Sequence, residues 1–112
     1  MLTVAGPIRQ HYLRVKAAYP EHIVLYRLGD FYEAFDDDGE TLARALGVML
    51  VTREVGADLP RVRMAGVIAG QLERDLGRLV AQGYRVAVAE PLPGQNEWVG
   101  EHVVTRETPA LT

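Results

Sequence analysis

The stretch "YRLGDFYEAF", residues 26–35, sets a large apolar ring, Phe31, two positions from a carboxylate, Glu33. If the stretch is a strand, alternation puts Phe31, Glu33 and Phe35 on one face, with Tyr32 and Ala34 on the other. An aromatic on a strand is ordinarily core. A face that also carries Glu33 is not all dry core, because an ionised carboxylate buried without a partner is costly. Two arrangements resolve the conflict: Arg27 on the neighbouring strand pairs with Glu33, or the hairpin tip stands in solvent. In the second, an apolar wedge and a hydrogen-bonding group project side by side, which suits DNA. Phe side chains can insert between base steps and unstack them. Insertion costs least where stacking is already weak, as at a mismatch. A carboxylate beside the wedge repels phosphates and discourages tight binding to ordinary duplex. It can still meet a base-edge donor, or take a proton and donate to an acceptor.

Other chemistry is less well supported. Asp36-Asp37-Asp38 offers the hard oxygen ligands that divalent cations take, as a metal-dependent nuclease would need. Consecutive residues point in different directions, however, and no spaced ligand pattern accompanies them. Acids at a helix N-terminus, favoured by the macrodipole, account for the run. The histidines His11, His22 and His102 contain no i, i+4 ligand pair and read as surface or core residues. No nucleophile signature is present. The phosphate loop is excluded, since it needs Lys after Gly and the only Lys, Lys16, follows Val15. No G-x-G-x-x-G fingerprint occurs. The expectation is a protein without enzyme activity, cofactor or metal.

The elements that must position these residues are legible from periodicity. Pro7 opens a helix running to about Ala18, with Ile8, Tyr12, Val15 and Tyr19 on its apolar stripe. Arg9, Arg14 and Lys16 lie off that stripe and read as a solvated basic face. "HIVLYRLG" is a strand, Gly29-Asp30 a turn, and "DFYEAF" the returning strand. "DDDGETLARALG" is a helix with Leu42, Ala45 and Leu46 inward. "VMLVTR" is a strand, "EVGADLP" a loop and "RVRMAGV" a short strand. "AGQLERDLGRLVAQG" is the clearest helix, burying Leu72, Leu76, Leu79 and Val80 and ending at Gly83. "YRVAVAEPL" is a strand stopping at Pro91, "PGQNEW" a loop, and "VGEHVVTRE" a last, edge strand. This order predicts one α/β domain of the α+β type over residues 1–112, a mixed sheet of about six strands with three helices around it.

The totals agree with a single domain. The chain has 112 residues, almost half of them apolar, and no cysteine. No apolar run approaches the roughly 18 residues of a membrane span, and the N-terminus lacks the features of a signal peptide. A cytoplasmic location, with no membrane partner, is expected. The net charge of −3 argues on its own against a nucleic-acid binder. Yet of the 12 basic residues all but Lys16 are Arg. That bias fits planar partners such as phosphate, or a compositional background of GC-rich or thermophilic type.

"PIRQHYLRVKAAYPEHIVLYRLGDFYEAFDDD" resembles the start of the bacterial MutS mismatch-repair family. The likeness includes Pro7, Gln10, Tyr12, Lys16 and Pro20, then Tyr26 to Glu33 apart from a conservative Leu28. It continues through "LVTREVG", "MAGV", "LGRLVAQGYRVAVAE" and "VVTRETP", from Pro7 to Pro109 with a loop difference near residue 58. The resemblance implies the family's N-terminal mismatch-recognition domain. It implies that Phe31 stacks on a mispaired base from the minor groove of kinked DNA and that Glu33 hydrogen-bonds that base. Arg53, where the family has a basic residue, becomes a weaker candidate for a phosphate contact. The implied partner is double-stranded DNA with a mismatch or an unpaired base, bound weakly by one small acidic module. A repair-protein partner supplying the clamp is also expected.

Two departures matter. After "MAG" the family continues with Ile-Pro, an aromatic or His, and His, whereas Ile68, Ala69 and Gly70 stand at those places here. The family's connector, levers, clamp and ATPase do not follow "TPALT". The resulting expectation is a small free-standing protein resembling the domain. The competing expectation is a protein-interaction module that kept the fold and lost DNA binding. Phe31 buried in the core would favour the latter, and Arg on the hairpin face the former.

Overall fold

The computed structural model describes residues 6–53, 61–94 and 101–109. The expected loops at 54–60 and at 95–98, the first two residues of the last expected strand, and the loop difference near residue 58 lie outside them. The described elements run α1 (Pro7–Ala18), β1 (Ile23–Leu28), β2 (Phe31–Phe35), α2 (Asp36–Leu46), β3 (Val51–Arg53), β4 (Val62–Ile68), a short 3-10 turn (Ala69–Gln71), α3 (Leu72–Ala81), β5 (Val86–Pro91) and β6 (His102–Thr108). This is the expected α+β order. β3 is shorter than "VMLVTR" suggests, since Val48, Met49 and Leu50 do not pair.

The six strands form one sheet in the order β3-β4-β2-β1-β5-β6. It is mixed: β1 and β5 are parallel, and every other pair is antiparallel. β6 is an edge strand, as expected. The β1–β2 hairpin turns through Gly29 and Asp30, with a positive φ of 60° at Gly29 only. That is the pattern of a type II′ turn, whose first central position strongly favours glycine.

Each sheet face has its own core. Leu42 and Leu46 of α2 and Leu76 and Leu79 of α3 pack on Ile23, Leu25, Tyr32, Ala34, Ala65, Val67, Val86 and Val88. Leu72 and Val80 are only half-buried at the margin. On the other face, Ile8, Tyr12 and Val15 of α1 pack on Val24, Tyr26, Phe35, Val62, Met64 and Ala89. The stripe expected for α1 is therefore the one that it buries.

The acidic run forms the first turn of α2, where the macrodipole favours it, and each of its carboxylates is also paired across the fold. No side chain caps the start of α2. Asp36 pairs with Arg9 at 2.9 Å, Asp37 with Arg63 at 2.9 Å, and Asp38 with Lys16 at 2.9 Å. Asp38 also accepts the Val24 backbone N–H at 3.0 Å. The basic face of α1 is thus not simply solvated: Arg9 and Lys16 tie α1 to the start of α2. Three neighbouring carboxylates point to three different cations, so they do not converge on one ion.

Candidate nucleic-acid interface

The face that holds Phe31, Glu33 and Phe35 changes character along β2. Phe35 is fully buried under α1, its ring 4.3 Å from that of Tyr12. Glu33, two residues on, is half-buried. Phe31 leaves 45% of its surface exposed. Tyr12 of α1 covers the Phe35 end of the strand, whereas at the hairpin tip Leu28, opposite Phe31, is still buried and Phe31 itself is not. One alternating face therefore begins as core and ends as a projecting ring, which is why a carboxylate can sit on it.

The register places Glu33 between Tyr26 on β1 and Gly66 on β4. Tyr26 is held from its far side. Its hydroxyl is hydrogen-bonded to His11 Nδ1 at 2.8 Å, and the His102 ring stacks on it at 3.9 Å and 18°. The His102 backbone N–H also donates to His11 Nδ1, at 3.1 Å. Gly66 leaves the other side of Glu33 open. A Cβ built there would meet Glu33 Oε2 at 2.6 Å, Cδ at 2.8 Å and Oε1 at 2.9 Å. The carboxyl lies against the bare glycine backbone, in space that any larger residue would fill. Sequence reasoning missed Gly66 and Tyr26. A glycine within a β-rich run, such as "RVRMAGV", is the available signal, since it often marks a close approach.

Arg27 does not pair with Glu33. It lies on the opposite face, where Nε donates to the Gly29 carbonyl at 2.6 Å and Nη1 to the Tyr32 hydroxyl at 3.3 Å. The Tyr32 hydroxyl in turn donates to Glu90 at 2.6 Å. Of the two arrangements considered, the Arg27 pair does not form; the tip stands in solvent at Phe31, while the Glu33 carboxyl is half-buried against Gly66. Burial pushes the Glu33 carboxyl above its ordinary range, and the positive charge of Arg53 partly opposes that rise. Arg53 is exposed at the end of β3 and makes no ion pair with a described residue. It lies on the same face, opposite Val62, four residues along β4 from the partner of Glu33. That offset is roughly 13 Å of strand. Phe31, Glu33 and Arg53 thus share one face but in a line along it: Phe31 at the tip, Glu33 in a slot behind it, and Arg53 at the far end, past the level of buried Phe35 and Met64 and roughly 20 Å of strand from Phe31.

The three histidines do not converge as ligands. His11 and His102 support Tyr26, while His22 Nε2 lies 3.5 Å from Glu107. Among the described residues, no group of three or more side chains is placed to hold a metal ion. Nor is any described helix long and apolar enough to cross a membrane.

A family model described as MutS domain I matches residues 6–111. The chain belongs to the MutS domain I family. Its relatives include the DNA mismatch repair protein MutS of Dehalococcoides mccartyi, 43% identical over 102 residues, which is 89% of this chain and 12% of that protein. The MutS of Symbiobacterium thermophilum is 46% identical over 88 residues, 79% of this chain and 10% of that protein. The MutS of Acaryochloris marina is 41% identical over 103 residues, 90% of this chain and 12% of that protein. The chain thus spans about an eighth of the length of the relatives it matches. The mixed six-stranded sheet with three helices is consistent with domain I of MutS.

Proposed function

We propose that this chain is a DNA-binding module that senses mispaired or unpaired bases, with a role in DNA mismatch repair. Phe31 enters the minor groove as the wedge. Glu33 hydrogen-bonds the base against which the ring stacks, and Arg53 meets a phosphate further along the duplex. The observation that carries this reading is the exposure of Phe31 beside a half-buried carboxyl that no described residue pairs. Family membership supports it independently. An exposed apolar ring is unfavourable in water and gains when it stacks between bases. A carboxyl whose pKa lies above the ordinary range takes a proton more readily, and so can donate to a base acceptor as well as accept from a donor.

Nothing in this reading calls for catalysis or a cofactor. Affinity is modest, because several of the Arg side chains are committed within the protein. Arg9 pairs with Asp36, Arg63 with Asp37 and Glu40, and Arg106 with Glu73. With Lys16, Arg74 and Arg78 also in ion pairs, half of the 12 basic residues are held within the protein, which lowers the number of phosphates it can neutralise and makes the salt dependence of binding shallower. A repair-protein partner would supply the missing hold on the duplex.

The competing reading is a protein-interaction module that no longer binds DNA, favoured by the net charge of −3 and by Ile68, Ala69 and Gly70 after "MAGV". Exposed Phe31 and same-face Arg53 favour the DNA reading. Fluorescence anisotropy at low salt separates them. Labelled duplexes with a G·T mispair, with one unpaired base, or fully paired are titrated with wild type, Phe31→Ala and Glu33→Ala. Tighter binding to the defective duplexes, lost in Phe31→Ala, is expected. Equal binding to all three duplexes, or none, would overturn the DNA reading.

A further inference from the structure

The two carbonyls that precede Phe31 in the hairpin turn are both held. The Asp30 carbonyl accepts the Ala69 N–H at 2.8 Å, from the 3-10 turn that follows β4. The Gly29 carbonyl accepts Arg27 Nε at 2.6 Å. Arg27 is itself gripped at its far end. Nη1 donates to the Tyr32 hydroxyl at 3.3 Å, the guanidinium carbon lies 5.2 Å from the centre of the Tyr32 ring, and that hydroxyl donates to Glu90 at 2.6 Å. The backbone of Arg27 is fixed as well, since its carbonyl accepts His102 Nε2 at 2.7 Å. A chain of contacts thus links β5, β1 and β2 to the turn, on the sheet face that Phe31 does not share.

We propose that Arg27 is a positioning residue for Phe31: through the Gly29 carbonyl it holds the turn in one form and so presents the ring already placed for a base step. This inference rests on the DNA reading above and adds to it a residue from the opposite face. Gly29 and Asp30 do not by themselves select one turn. Types II′ and I′ differ in the direction of the peptide between the two central residues, and I′ asks only that the second residue also take a positive φ. Asp tolerates that conformation better than most residues. Asp30 does not adopt it here, and the Gly29 carbonyl is the group that such a flip would turn away from Arg27. Phe31 follows the turn directly and leaves 45% of its surface exposed, so its backbone does more than packing to fix where the ring goes. A ring held in place before binding loses less freedom on entering the duplex, and the difference appears as affinity. Because Arg27 lies on the other face from the ring, its effect on base stacking passes through the backbone of the turn.

The test replaces Arg27 by two side chains of similar length. Gln carries an amide N–H where Arg has Nε, and so can still meet the Gly29 carbonyl; Met carries no donor. Neither keeps the positive charge. Wild type, Arg27→Gln and Arg27→Met are titrated by anisotropy against G·T and fully paired duplexes, well below the melting temperature of each protein. Amide hydrogen exchange is followed at Ala69, whose acceptor is the turn carbonyl of Asp30. Wild type is expected to prefer the G·T duplex. Arg27→Met should lose about two- to tenfold of that preference, the size of effect for one hydrogen bond, and should exchange faster at Ala69. Arg27→Gln should keep most of the preference and the slow exchange. Undiminished preference in Arg27→Met, or unchanged exchange at Ala69 in it, would overturn the proposal and leave the DNA reading standing. Loss of preference in a folded Arg27→Gln protein would overturn it too, whatever Arg27→Met does, and would point to the charge itself, as in a phosphate contact. Absence of preference in wild type would remove both readings.

Discussion

Replacing Gly66 with alanine is the sharpest perturbation the structure offers, because it touches Glu33 without altering it. The three heavy atoms nearest to the added Cβ all belong to the Glu33 carboxyl, the closest at 2.6 Å. Ordinary contact begins at 3.4 Å, so the carboxyl must retreat by about 0.8 Å. Retreat is feasible, since these atoms are the free end of a rotatable side chain. The backbone itself accepts alanine, because Gly66 is not among the residues with positive φ. Removing a glycine from the unfolded ensemble contributes about 0.4–1 kcal/mol of stability, which offsets part of the crowding. The variant should melt within about 5 °C of wild type. Base recognition should suffer far more. A hydrogen bond to a charged group is worth about 1.5–3 kcal/mol, so losing its geometry should cut affinity for a defective duplex roughly tenfold to a hundredfold. Binding to the fully paired duplex should scarcely change. The assay pairs a thermal melt with anisotropy on G·T and fully paired duplexes. A folded Gly66→Ala protein with undiminished defect preference would refute the role given to the Glu33 slot. A collapse in stability would show that the carboxyl cannot move aside.

Four further outcomes are expected. The two phenylalanines of β2 should separate cleanly in chemical denaturation, Phe35→Ala costing about 3–5 kcal/mol for a buried ring and Phe31→Ala within about 1 kcal/mol of wild type; equal costs would contradict the contrast in burial between them. Glu33→Gln should raise stability at neutral pH: a folded pKa above the ordinary 4.5 gives stability that is complete in acid and lost as pH rises through the folded value, so a gain that persists unchanged below pH 4 would argue against burial of the charge. Asp38→Ala should cost about 1–3 kcal/mol, since it strips the Val24 N–H of its acceptor and Lys16 of its partner, and a melt unaffected by it would deny that this carboxylate joins α1, β1 and α2. His11 should make the domain acid-sensitive. Burial first, then Arg14 and His102, hold its pKa below the ordinary 6.5, against a smaller opposing pull from Glu101, and its Nδ1 accepts the His102 N–H, a bond that a proton there would break. Stability should fall as pH drops below about 6.5, and His11→Gln should flatten that limb of the melting profile.

Local patterning determined much of this protein. The helical stripe of α1, the Gly29-Asp30 turn, the alternation of Phe31, Glu33 and Phe35, and the inward leucines of α3 all follow from 3.6- and 2-residue periods along a short stretch of chain. The pairing of ring and carboxylate was legible for the same reason: residues two apart on a strand share a face wherever that strand goes. What periodicity cannot say is which end of the face is covered. Only packing decided that α1 buries Phe35 and leaves Phe31 in solvent, because the outcome depends on where a helix twenty residues upstream crosses the sheet. Pairing across the fold likewise assigned Arg27 to Tyr32 rather than Glu33, and Arg9 and Lys16 to the acidic run. Gly66 behind Glu33 comes from β4, more than thirty residues further along. Register between distant strands is set by the whole hydrophobic pattern acting together, so the slot exists only once the sheet has formed.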